Sequence, residues 1–82
     1  MKDFRKRLKE LRHDKKLSQR RLARIIGTTN SSVCDWECGR TEPNIEMIIK
    51  LCVVFGVSSD YLLGIENDDG TTADFSYLFE NL

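Results

Sequence analysis

At 82 residues, with 13 Lys and Arg against 13 Asp and Glu, the chain has room for one domain, whose small core would gain from a partner chain. Three cysteines is an odd number, and no N-terminal apolar run of the signal-peptide kind is present, so a reducing cytoplasm is expected rather than a disulfide framework. No apolar run approaches about 18 residues, which excludes a membrane-spanning helix as an expectation.

The net charge of zero conceals an asymmetry about Arg40. Up to that residue there are 12 Lys and Arg against 5 Asp and Glu, a net +7; beyond it there is 1 against 8, a net −7. A basic half suits a polyanion, and an acidic end is then kept away from it.

Phe4, Leu8 and Leu11 recur at spacings of four and three, predicting an amphipathic first helix that ends near Lys15 or Lys16. Its other faces carry Arg5, Lys6, Arg7, Lys9 and Arg12. Ser18 is an N-cap residue type, Leu22, Ala23 and Ile26 form an apolar stripe, and Gly27 is a C-terminal stop, giving a short second helix. Thr29 caps a third, Asn30 to Cys38, with Val33 and Trp36 inward and Gly39 as its stop. Two short helices joined through Gly27-Thr28-Thr29 form a helix-turn-helix.

Glu42-Pro43-Asn44 reads as a breaker followed by a cap, opening a fourth helix from Ile45 to Phe55 that Gly56 stops. Apart from Glu46 and Lys50 it carries no charge, so it should be covered on more than one side. Ser58 starts a short fifth helix, Ser59 to Leu63, stopped by Gly64. Residues 66–72, ENDDGTT, read as an acidic flexible linker. Beyond it, Phe75, Leu78, Phe79 and Leu82 fall at i, i+3, i+4 and i+7, so residues 73–82 are expected to form an amphipathic tail helix. That stripe, with Val53 and Val54 of the fourth helix, is the expected surface for dimerisation or for a protein partner. The expected class is all-α: a compact five-helix domain over residues 1–65, then linker and tail.

From about Phe4 to Gly64 the sequence resembles the phage repressor and Cro family of helix-turn-helix DNA-binding proteins. The resemblance rests on Leu17-Ser18-Gln19, Leu22-Ala23, Gly27, Val33, Trp36-Glu37, Gly39, Pro43 and the ending Phe55-Gly56-Val57-Ser58 to Tyr61-Leu62-Leu63-Gly64. It implies two-fold dimers on operator DNA. Carried over position by position, it places Asn30, Ser31 and Asp35 at bases. It also places Gln19, Thr29, Ser32 and Arg40 at the sugar-phosphate backbone, and pairs Arg12 with Glu37. The chain departs from the commoner pattern in having no glutamine or arginine at 30, 31 or 35 and in having Glu42 where many relatives are basic; these differences bear on the operator sequence.

The chemistry of those positions is consistent. An asparagine amide matches adenine, an aspartate accepts from the cytosine amino group, and Cys34 can touch a thymine methyl. Each of Ser31, Ser32 and Asn30 has an ordinary alternative use in helix capping. Ser18, Thr29 and Asn44 open helices, whose free N–H groups attract phosphate, and Arg20, Arg21 and Arg24 flank the same motif. Cys34 and Cys38 lie one turn apart, but no third or fourth ligand for a metal is apparent. His13 stands alone, and Cys52 matches a small core position. No nucleophile, general base, cofactor motif or small-molecule effector site is evident. The expected function is therefore a bacterial or prophage transcriptional regulator, a homodimeric repressor on a near-palindromic operator. The alternatives are an antitoxin-like protein whose tail docks a protein partner, and a purely structural helical module.

Overall fold

A computed structural model describes residues 2–79. Among these residues five α-helices follow one another: α1 Lys2–Asp14, α2 Gln19–Ile26, α3 Asn30–Cys38, α4 Ile45–Phe55 and α5 Ser59–Leu62. A single 3-10 turn, Ser76–Phe79, closes the described chain. None of these helices is long and apolar enough to cross a membrane.

The helix boundaries have local causes. The side-chain oxygens of Ser18, Thr29, Asn44 and Ser58 accept from the backbone N–H three residues on, at 2.9–3.1 Å, so α2 to α5 each have a capped start. At the other end, α1 to α4 share a left-handed terminator in which a backbone N–H reaches five residues back. The pairs are Leu17 to Arg12, Thr28 to Ala23, Arg40 to Asp35 and Val57 to Cys52, at 2.8–3.1 Å. Glycine fills the left-handed position in three of them, but in α1 it is Lys16, with φ 56. Gly39 suits its place by its backbone, and a side chain there would also displace Arg5. The Gly39 φ is 81, and a Cβ there would lie 2.7 Å from Cδ of Arg5.

Phe4 and Leu8 of α1, Leu22 and Ile26 of α2, Val33 and Trp36 of α3, Leu51 and Phe55 of α4 and Leu62 of α5 meet in one core. Removal of each such side chain from water contributes about 1.5–3 kcal/mol. Two of these anchors, Val33 and Trp36, come from α3, so its opposite side is left facing outward.

Three expectations are corrected. The fourth helix is not covered all round: Leu51 and Phe55 are buried, while Ile45, Ile49 and Val53 are 58–76% exposed along one stripe. Residues 66–72 are a closed turn rather than a loose linker. Thr71 carbonyl accepts from Asn67 N–H at 2.7 Å, Ile65 carbonyl accepts from Ala73 N–H at 2.6 Å, and Glu66 bridges to Thr72. Arg7 ties this turn to α1. Its guanidinium donates to the carbonyls of Tyr61 and Glu66, lies 4.2 Å from the centre of the Tyr61 ring, and stands 3.7 Å from the Asp68 carboxylate. Lastly, the tail is not an α-helix over its described part: it makes one 3-10 turn, with Tyr77, Leu78 and Phe79 exposed. Four residues of such a turn hold no helical stripe, and Phe75 packs on Tyr77 instead, with ring centres 6.1 Å apart. Leu82, expected to complete the stripe, lies outside the described residues.

Candidate nucleic-acid interface

The position of α3 is set by a polar network as well as by its apolar face. Arg12 of α1 donates from Nε to Glu37 Oε2 at 2.6 Å and from Nη2 to Oε1 at 3.0 Å. Gln19, the first residue of α2, donates to the same Oε1 at 3.1 Å, and Arg12 Nη1 also donates to the Leu17 carbonyl at 2.8 Å. Three helices are thus pinned at one carboxylate, whose side chain is 2% exposed against 9% for Arg12. Burial by itself would raise the Glu37 carboxyl. The hydrogen bonds from Arg12 and Gln19, together with the Arg12 charge, outweigh that and hold it below the ordinary glutamate range. His13 is exposed, with Nε2 at 3.2 Å from Arg12 Nη2.

The outward side of α3 begins with Asn30 and Ser31, both exposed. Thr29 and Ser32 face each other across the cap, with their hydroxyl oxygens 2.9 Å apart. Asp35 and Cys34 are half-buried and Cys38 is exposed. Arg40, just beyond the helix, lies 3.5 Å from the Asp35 carboxylate. This fold therefore brings Asn30, Ser31, Cys34, Asp35 and Arg40 together on one surface.

Most of the expected phosphate contacts also have partners within the protein. Ser18, Thr29 and Asn44 already accept from their own helices; the Ser18 hydroxyl and Asn44 amide hydrogens are left to donate outward, while Thr29 and Ser32 share a bond between their hydroxyls. Gln19 spends its amide N–H on Glu37. Arg20, Arg21 and Arg24 are exposed along α2. Val53 is exposed, whereas Val54 packs on the core.

Sequence reasoning missed Arg5, Arg7 and Lys50. Arg5 Nη1 donates to the Cys38 carbonyl at 3.4 Å, at the C-terminal end of α3, and Lys50 Nζ donates to the Ile26 carbonyl at 3.3 Å, at the C-terminal end of α2. A cation at a helix C-terminus is favourable. Both cations come from other helices, so no local pattern announces them.

The helix-turn-helix family model HTH_3 matches residues 8–62. The HTH-type transcriptional regulator YonR of the SPbeta prophage, from Bacillus subtilis (strain 168), is 39% identical over 72 residues, covering 88% of this chain and 62% of its own length. Repressor protein C2 of Salmonella phage P22 is 35% identical over 57 residues, covering 70% of this chain and 26% of its own length. Among solved structures, the P22 c2 repressor in complex with a synthetic operator superposes with a TM-score of 0.69 at 32% identity, covering 72% of this chain and 89% of that one. The restriction-modification controller protein C.AhdI from Aeromonas hydrophila superposes at 0.67 with 35% identity, covering 73% of this chain and 91% of that one. The chain spans 62%, 61% and 55% of the length of three curated relatives it matches. By the family-model match over residues 8–62, the chain belongs to the HTH_3 helix-turn-helix family.

Proposed function

We propose that this chain is a repressor that binds a near-palindromic DNA operator as a homodimer in the cytoplasm, placing α3 of each copy in the major groove. The observation that carries the reading is the mounting of α3. A buried carboxylate and two buried apolar side chains fix its inner face, while Asn30, Ser31, Cys34 and Asp35 are turned outward together. An α-helix fits the major groove, where short polar side chains on a rigid mount reach base edges.

In this reading Asn30, Ser31, Cys34 and Asp35 face bases. Ser18, Gln19, Arg20, Thr29, Ser32, Arg40 and Asn44 line the flanking backbone, where N-terminal N–H groups and cations favour phosphate. Two copies pair through the exposed stripe Ile45, Ile49 and Val53 of α4, which would return these residues to an apolar setting. The exposed Tyr77, Leu78 and Phe79 add to that interface. Residues 1–65 form the DNA-binding unit, and those beyond it serve assembly.

Selection of bound duplexes from a random pool, followed by titration at low salt, tests the proposal. Two half-sites about 34–36 Å apart are expected, one helical turn of DNA. A folded protein with no preference among duplexes would refute it.

A further inference from the structure

Two thiols stand one turn apart on the outward side of α3. Cys34 is half-buried, Cys38 is exposed, both are free, and their Sγ atoms lie 3.9 Å apart. We propose that this pair is a binding site for a soft, thiophilic centre that takes two thiolates, of the trivalent organoarsenical class, and that filling it removes α3 from DNA. The second half rests on the reading of α3 as the DNA-reading helix.

The spacing fits such a centre. Trivalent arsenic is pyramidal, and thiolate bonds of about 2.3 Å at an angle of about 100° would set the sulfurs about 3.5 Å apart, so thiols standing 3.9 Å apart need approach by only a few tenths of an ångström. A structural zinc is a poorer occupant. It calls for four protein ligands, and among the described residues no group of three or more His, Cys, Asp or Glu is placed to hold a metal. An organoarsenical supplies its third substituent itself. A disulfide is also a poorer outcome, because side chains one turn apart have Cβ atoms about 5–6 Å apart whereas a disulfide holds them at about 3.5–4.5 Å. Oxidation would therefore distort the helix; a bridging centre would not.

The Cys34 thiol is raised above its ordinary value, first by its hydrogen bond with Cys38 and then by charge repulsion from Cys38, so it enters the exchange protonated. The exchange balances without any oxidant. An organoarsenic(III) oxide gives up its As–O bonding for two As–S bonds, the oxygen leaves with both thiol protons as water, and arsenic remains trivalent. The bound group would share the surface of Ser31 and Asp35, filling space that base edges otherwise occupy.

The test treats the full chain with phenylarsine oxide in excess glutathione, a monothiol that competes off any single-cysteine adduct. Intact mass should show one phenylarsenic group per chain in the wild type and in Cys52→Ala, and none in Cys38→Ser. On a selected duplex, the adduct should weaken binding by roughly tenfold or more through steric exclusion, with reversal by a small dithiol. Cys38→Ser should bind that duplex as the wild type does and ignore the reagent. An adduct held equally by Cys38→Ser, or a wild-type adduct with undiminished DNA affinity, overturns the proposal. If the untreated protein binds no duplex, the DNA reading fails by itself, and the glutathione-resistant mass adduct still decides the thiol site.

Discussion

The Arg12 guanidinium meets the Glu37 carboxylate at 2.6 and 3.0 Å, and this contact joins the first helix to the last turn of the third. Both side chains are almost wholly withdrawn from solvent. An ion pair in that setting acts through the cost of breaking it, since either charge left alone is desolvated and unpaired.

Glu37→Ala should accordingly destabilise the domain by about 3–5 kcal/mol, and adding Arg12→Met should recover part of that loss. Urea denaturation of the two variants and the wild type measures both. A neutral Glu37→Ala would show that the pair has the small value of an exposed one, under about 1 kcal/mol.

Folding lowers the Glu37 pKa, so its stabilising contribution is complete above the ordinary glutamate value of about 4.3 and is lost as pH falls through the lower folded value. The urea midpoint should thus drop on acidification below that value, and the drop should be shallower in Glu37→Gln, which has no proton to gain there. Denaturation series from about pH 7 to about pH 3 compare the two slopes. Parallel acid limbs would assign the acid sensitivity to other carboxylates.

Asn30→Ala should cost about 1–3 kcal/mol on the cognate operator and relax preference at one position of each half-site, about 10 base pairs apart, with little effect on unrelated DNA. Competition against operators changed at single positions reads this out. Equal losses on every duplex would reduce Asn30 to a helix-end residue.

Arg40→Ala should weaken cognate and random duplexes alike and lower the salt slope by roughly one. The 3.5 Å contact with Asp35 adds a second effect: without Arg40, the carboxylate faces DNA unscreened. Arg40→Ala combined with Asp35→Asn should therefore lose less affinity for random DNA than Arg40→Ala does. Strict additivity of the two changes would show that the residues act independently.

Ile49→Glu should leave the monomer folded, because Ile49 is 58% exposed, yet weaken self-association by placing charge on the α4 stripe. Ending the chain at Ala73 should weaken association less, since it removes the exposed tail but keeps the turn that Arg7 holds. Sedimentation of the three proteins ranks them, and operator affinity should follow the dimer constant because linked half-sites reinforce each other. An unchanged dimer constant in Ile49→Glu would exclude α4 as the interface.

The sequence by itself determined where helices α2 to α4 begin and end, and which stripes of α1 to α3 face inward. Ser18, Thr29 and Asn44 cap N–H groups three residues away, and Gly27, Gly39 and Gly56 supply left-handed stops, so the relevant physics acts within a few residues. The resemblance added the pairing of Arg12 with Glu37, 25 residues apart. Only the tertiary structure decided which apolar residues of α4 are covered. Leu51 meets the core while Ile49 and Val53 do not, and composition treats all three alike. It also decided that Arg7 fastens residues 65–73 into a turn, and that Arg5 and Lys50 reach the C-terminal ends of α3 and α2. Each of those outcomes depends on a neighbour's placement in space, which a pattern read along the chain does not contain.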